Sequence, residues 1–418
     1  MLTISEKFAR LGTDHAPGQE VRQDRVAQDT DLRGDVIAGT PVDFSHGDVN
    51  DDAFAPTPGA FEEFVAGVER GGSQAYTEYR GGAELRDSLG ERLTHFTGKP
   101  VSGADELIIT PGTQGALFLA LGATVNTGDR VAVVRPDYFA NRKLVEFLGG
   151  VVVPVRMDYL AHTDGAGLDL GQLEDAFKSG VKTFLFSNPN NPAGVVYTAA
   201  EIARIAELAT TYGATVIVDQ LYSRLLYSGS TYTHLRASNI DANQVVTIMG
   251  PSKTESLSGY RLGVAFGAPH IIDRMEKLQA IVSLRAPGYS QAVLRTWFAE
   301  PDGWLQDRIA LHQALRDELL GVFATVPELV VRAPQAGSYL FPKLPALDVS
   351  LHDFVRALRV QAGVTVTPGT EFSPESTDSI RLNFSQNHDA AVQAAHRIAQ
   401  LIERYRADVG AVRAGIAQ

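Results

Sequence analysis

The 418-residue sequence is 44% hydrophobic, enough for a large core and a second, smaller unit. Its 37 basic and 49 acidic side chains give a formal net charge of -12, which disfavours nucleic acid and anionic membrane as partners. With no cysteine, disulfides, thiolate metal sites and a cysteine nucleophile are excluded.

Residues 1–40 are polar, without a clear period, and read as an irregular arm. The opening MLTISEKFARLGTDHAPG lacks the apolar run of a signal peptide, and no stretch approaches the roughly 18 apolar residues of a membrane span. Both features point to the cytoplasm. Short β-branched runs then alternate with amphipathic segments: ELIIT (106–110), RVAVV (130–134), VVVPV (151–155), KTFLFS (182–187), ATVIVD (214–219), QVVTIM (244–249) and LGVAFG (262–267). Most are apolar on both faces, as strands of a helix-covered parallel sheet are. Helical spacing is clearest over 113–125 and 199–213. This alternation predicts an α/β layer architecture with right-handed crossovers. After residue 300 the pattern changes to long helices, over 307–326 and 389–407, with short strands between. The expected division is an arm (1–40), a large domain (65–300) and a smaller α+β domain from 41–64 and 301–418.

Ligands of open parallel sheets bind beyond the carboxyl ends of the strands, where the unusual polar residues of this chain cluster. Each has two readings. Gly112, Thr113 and Gln114 open a helix after ELIIT, either as a phosphate cradle or as an ordinary tight turn. Tyr138, after RVAVV, covers a flat ring or simply packs. The double Asn-Pro turn SNPNNPAG (187–194) fixes Asn191, either to present its amide or as part of a rigid loop. Asp219 ends an apolar strand, either binding a protonated heterocyclic nitrogen or capping a helix, with Tyr222 three residues on. Lys253 and Arg261, in GPSKTESLSGYRLG (250–263), read as an imine-forming amine beside a phosphate clamp, or as two solvated charges. Arg381, in SIRLNFS (379–385), grips a carboxylate or pairs with a surface acid.

In this order, the segments resemble the fold-type I, pyridoxal-phosphate-dependent aminotransferases of class I/II, the aspartate aminotransferase-like family. PVDFSHGD (41–48), YTEYRGGAELR (76–86), GSYLF (337–341) and TPGTEF (367–372) extend the match over about residues 42–385. The resemblance implies a three-layer large domain with a mostly parallel seven-stranded sheet, plus the smaller domain. It implies that Lys253 forms the imine with pyridoxal 5′-phosphate and shuttles the α-proton. Asp219 would keep the pyridine nitrogen protonated, Tyr222 and Asn191 would hold the phenolic oxygen, and Tyr138 would stack on the ring. Thr113, Gln114, Ser252 and Arg261, with Gly112 at the turn, would bind the phosphate. Tyr76 would reach the phosphate of a neighbouring subunit, implying a homodimer with shared sites. Arg381 would grip the substrate α-carboxylate, helped by Asn191 and the backbone at Gly47.

Some positions depart from the family pattern. Gly250 and Ala193 stand where serine, and threonine or serine, are usual, and His46 replaces a common apolar residue. His46 contacts substrate, acts as an acid-base group, or packs at the entrance. Arg285, in SLRAPGYSQ, is expected near the partner's cofactor, binding the phosphate or an acidic substrate side chain. The leading activity is transfer of an α-amino group from an L-amino acid to a 2-oxo acid. The alternative is elimination, cyclisation (as in aminocyclopropane-carboxylate synthases) or oxidation through the same carbanion. A cofactor-binding regulator fused to a DNA-binding domain is a poor fit, since about 40 residues precede the first motif.

Overall fold

The computed structural model describes residues 3–13, 32–46, 53–72, 74–161 and 164–407. In chain order the strands are β1 (Val42–Asp43), β2 (Leu107–Pro111), β3 (Arg130–Arg135), β4 (Val151–Arg156), β5 (Thr183–Ser187), β6 (Thr215–Asp219), β7 (Val245–Met249), β8 (Leu262–Gly267), β9 (Tyr339–Leu340), β10 (Val364–Thr365), β11 (Thr367–Pro368) and β12 (Ile380–Asn383). β2 to β8 form one seven-stranded sheet in the order β2-β8-β7-β6-β5-β3-β4. β8 runs antiparallel to both its neighbours, and every other pair is parallel. The seven apolar runs are thus the seven strands, displaced by a residue at most. β8 reverses because β7 returns through residues 250–261 with no crossover α-helix, which a parallel neighbour would require.

Alternate side chains of the strands feed separate cores on the two faces. Val134, Phe184, Phe186, Val216 and Val218 pack with Leu173, Phe177, Ile202 and Ile205 from the helices Leu170–Lys178 and Ala199–Tyr212. Val133, Leu185, Ile217, Val246 and Ile248 pack on the other face against the helices Gly112–Thr124, Phe139–Phe147 and Pro269–Val282. Covering both faces is why these strands lack apolar–polar alternation.

A separate core joins β1 to the C-terminal elements. Val42 and Phe44 pack with Leu319, Phe323, Phe354, Leu382, Ile398 and Tyr405. These come mainly from the helices Trp304–Phe323, Leu351–Ala362 and His388–Tyr405 and from the sheet β11-β12-β9, while β1 pairs with β10 in parallel. The helix expected over 307–326 starts three residues earlier because Gly303, at φ 86°, ends the preceding turn. Among the described residues no helix is long and apolar enough to cross a membrane.

Candidate active site

A cavity of about 250 Å³ opens beyond the carboxyl ends of β3, β5, β6 and β7, closed on its far side by β9 and β12. The helix Gly112–Thr124 starts directly after β2 and brings Thr113 and Gln114 to the wall. Its first backbone N–H groups have no intrahelical acceptors, so this end of the cavity suits an anion. Gly112 has φ +76°, and a Cβ there would lie 2.5 Å from Nη2 of Arg261. Glycine therefore lets the guanidinium close over the helix start. A Cβ at Gly250 would already meet Thr113 Cγ2 at 2.8 Å. The Thr113 methyl thus occupies the space that a serine side chain at 250 would need.

Asp219 lines the cavity at the end of β6, and its Oδ1 accepts a hydrogen bond from the Leu221 amide at 3.0 Å. Burial pushes its pKa up to about 6, with that bond opposing. A carboxylate so desolvated is suited to a cationic partner arriving in the cavity. Tyr138 donates its hydroxyl to Gln114 Oε1 at 3.1 Å, holding its ring at the wall.

The Asn-Pro turn is locked by a residue the sequence reading passed over. Asp137 accepts from the Ser187 amide at 2.9 Å, the Tyr138 amide at 2.6 Å and the Ser187 hydroxyl. Burial drives its pKa up to about 7 against those bonds. Ser187 Oγ then accepts from the Asn191 amide at 3.1 Å. Ala193 is buried in the sheet core, which accounts for an apolar residue there.

Asn191 Oδ1 in turn accepts from Arg381 Nη1 at 3.0 Å, and Arg381 Nη2 donates to the Ser45 carbonyl at 2.8 Å. Arg381 is 2% exposed, with its guanidinium 4.3 Å from the Tyr339 ring centroid and 4.7 Å from that of Phe372. Among the described residues no acidic side chain pairs with it, which removes the surface salt-bridge reading. A buried, aromatic-flanked guanidinium with only neutral partners is matched to an incoming carboxylate.

Lys253 reaches the same cavity with Ser252 and Arg261 from the β7–β8 connection. Behind it, buried Glu255 pairs with Arg224, which also donates to Glu300 at 2.8 Å, and fastens the loop to the body. Burial pushes Glu255 up to about 7, although Arg224 opposes this.

Thr113, Gln114, Tyr138, Asn191, Asp219, Tyr222, Ser252, Lys253, Arg261 and Arg381 all line this one cavity, with Gly112 at its edge. Tyr76 and Arg285 lie outside its wall. Tyr76 is 78% exposed, and the Arg285 guanidinium lies 4.3 Å from its ring. His46 is not in the wall; its Nε2 is 3.5 Å from Asp43 Oδ2 and its carbonyl accepts from the Asn383 side-chain Nδ2. Gly47 lies outside the described residues. Besides Asp137, the sequence reading missed Ser187 and Tyr339 as parts of the site. GSYLF marked a landmark, but nothing local signals that Tyr339 faces Tyr222, 117 positions away. Among the described residues no group of three or more His, Asp or Glu could hold a metal ion.

The profile of the family "aminotransferase class I and II" matches residues 40–398. The chain belongs to this family. The crystal structure of an aspartate aminotransferase from Rhodobacter sphaeroides is 65% identical, with a TM-score of 0.91, covering 97% of this chain and 100% of that one. The aspartate aminotransferase of Sulfurisphaera tokodaii is 29% identical over 338 residues, 79% of this chain and 83% of its own. Aspartate aminotransferase from Thermus thermophilus with maleate shares the fold at TM-score 0.79 and 23% identity, covering 96% of this chain and 100% of that one. This aminotransferase is therefore an enzyme with the α/β fold expected from its sequence, and the lyase, cyclase and oxidase alternatives are not favoured.

Proposed function

We propose that this aminotransferase uses pyridoxal 5′-phosphate, held as an imine on Lys253, to move the amino group of L-aspartate to a 2-oxo acid. The observation that carries the reading is the convergence of Lys253, Asp219 and Arg381 on one cavity. The donor set fits the cofactor. A glycine-opened helix start under Arg261 suits the phosphate, and a desolvated carboxylate of raised pKa suits a protonated ring nitrogen.

When bound, the cofactor supplies an electron sink for the pair left on the substrate α-carbon. The chain's residues do the rest. Thr113, Gln114, Ser252, Arg261 and the amides after Gly112 would anchor the phosphate. Asp219 would hold a proton at the ring nitrogen. Tyr138 would cover one ring face, and Tyr222 and Asn191 would reach the phenolic oxygen. Arg381 grips the α-carboxylate, which turns the α-C–H bond toward the Lys253 amine, the base that takes and returns that proton.

The rest of the proposal concerns assembly and substrate choice. Tyr76, with Arg285, serves a neighbouring subunit's site in a homodimer. Exposed Phe61, Val65, Val68, Ile281, Val282 and Leu284 support this, forming apolar surface on the segments around that pair. Arg285 binds the aspartate side-chain carboxylate, and His46 borders the substrate entrance. The small domain, from 41–64 and 301–418, carries Arg381 against the large domain at 65–300, beyond an arm of residues 1–40. The enzyme works in the cytoplasm.

The test is a half-reaction followed in the visible spectrum. L-Aspartate added to the cofactor-loaded protein is expected to remove the lysine-linked band, and a dicarboxylic 2-oxo acid to restore it. Arg285→Ala is expected to raise KM for aspartate by about tenfold or more while sparing L-alanine. An unchanged band with every amino acid tried would overturn the reading, and an unchanged aspartate KM would remove Arg285 from it.

A further inference from the structure

Tyr222 and Tyr339 are both 3% exposed, and their hydroxyl oxygens lie 2.6 Å apart. The rings meet edge to face, with centroids 5.3 Å apart. The backbone is shaped around this contact. A Cβ at Gly337, which has φ +73°, would lie 3.3 Å from the Tyr222 ring, and the Tyr227 hydroxyl donates to the Gly337 carbonyl. On its other side Tyr339 carries the Arg381 guanidinium at 4.3 Å, and β9 is fixed against β12 by the pairing of Tyr339 with Asn383. Tyr339 thus touches both a residue assigned to the cofactor and the residue assigned to the substrate carboxylate.

A phenol has one proton to donate and lone pairs to accept. In this structure Tyr222 donates to Tyr339. When Tyr222 donates to a phenolic oxygen in the cavity, the proton between the tyrosines must come from Tyr339. We propose that Tyr339 is a positioning residue: its hydroxyl donates to Tyr222, which keeps the Tyr222 proton on the cofactor oxygen and strengthens that bond. This rests on the cofactor reading above. The chain Tyr339 to Tyr222 to oxygen is cooperative, since each donor polarises the next. Burial, the largest cause, holds Tyr222 well above the ordinary phenol range, so Tyr222 acts as a donor and not as a phenolate. The titratable and charged groups facing the pair are Asp219 and Arg381, with Tyr138, Lys253 and Arg261 on the same cavity wall.

The consequence is visible in the pH titration of the lysine-linked cofactor. Losing the proton from the linked nitrogen leaves the neighbouring ring oxygen with an unbalanced negative charge. A strong donor on that oxygen favours the deprotonated form and lowers the apparent pKa. Tyr339→Phe keeps the ring and its packing but removes the second donor. It is expected to raise the pKa of the visible band by about half a unit. In a Tyr222→Phe background the same change is expected to leave that pKa unmoved, because Tyr339 acts through Tyr222.

An unchanged pKa in the single variant would reduce Tyr339 to packing and overturn the proposal. A fall would overturn it too, showing that Tyr339 competes for the Tyr222 proton. An equal rise in both backgrounds would show an action that bypasses Tyr222, with the same consequence. A wild-type protein with no titrating band would instead sink the cofactor reading, and this inference with it.

Discussion

Lys253→Ala is expected to lower kcat by about 10⁴-fold or more. On the roles proposed above, two functions would be lost together: covalent capture of the cofactor and proton transfer at the α-carbon, the latter alone accounting for about 10²–10⁴. No neighbour can stand in. The other cations on the cavity wall, Arg261 and Arg381, are guanidinium groups whose planar forks suit holding anions, not moving the α-proton. The fold is expected to survive, since the loop is fastened by the Glu255–Arg224 pair and by backbone bonds such as Leu257 N to Pro251 O at 3.2 Å. The check is steady-state turnover beside a circular-dichroism melt. Activity within tenfold of wild type in a folded variant would remove Lys253 from the chemistry.

Asp219→Asn is expected to cut kcat by about 10²–10³-fold while making the cofactor-free protein more stable at pH 8. The loss follows because an amide cannot hold a proton on the ring nitrogen. The gain follows from linkage. The folded pKa, about 6, lies above the ordinary 3.8, so the folded state holds this proton more tightly than the unfolded chain. Stability from Asp219 is therefore present at low pH and is lost as pH rises from about 4 through 6. Above that window the carboxylate is ionised in a desolvated place. Removing its charge should raise the melting temperature of the cofactor-free protein at pH 8, and much less at pH 4. On the proposed role, bound cofactor would offset the penalty in wild type, so the advantage should disappear in the loaded protein. Full activity, or a lower melting temperature at pH 8 in the cofactor-free variant, would contradict this assignment.

The central sheet was legible because its strands are buried on both faces, and continuous apolar runs such as QVVTIM and LGVAFG have no other easy home. The reversed direction of β8 was not legible, since it depends on how β7 returns through the Lys253 loop. Site residues were legible where local chemistry is unusual: a carboxylate ending an apolar strand at Asp219, or a double Asn-Pro turn at Asn191. Asp137 escaped because a polar residue after a strand looks like any turn, and its importance lies in bonds to Ser187, 50 positions on. Tyr339 escaped for the same reason, its partners Tyr222 and Arg381 being set by strand pairing and packing. In the sequence Gly250 stood out only as a departure from the usual serine, and the packing of the Thr113 methyl against it gives that departure a steric cause.

The most direct test of the central claim is chemical. The protein loaded with pyridoxal 5′-phosphate is reduced with borohydride, digested and mapped by mass. The account predicts one reduced cofactor adduct, on the peptide carrying Lys253. An adduct mainly on another lysine, or none despite bound cofactor, would contradict it.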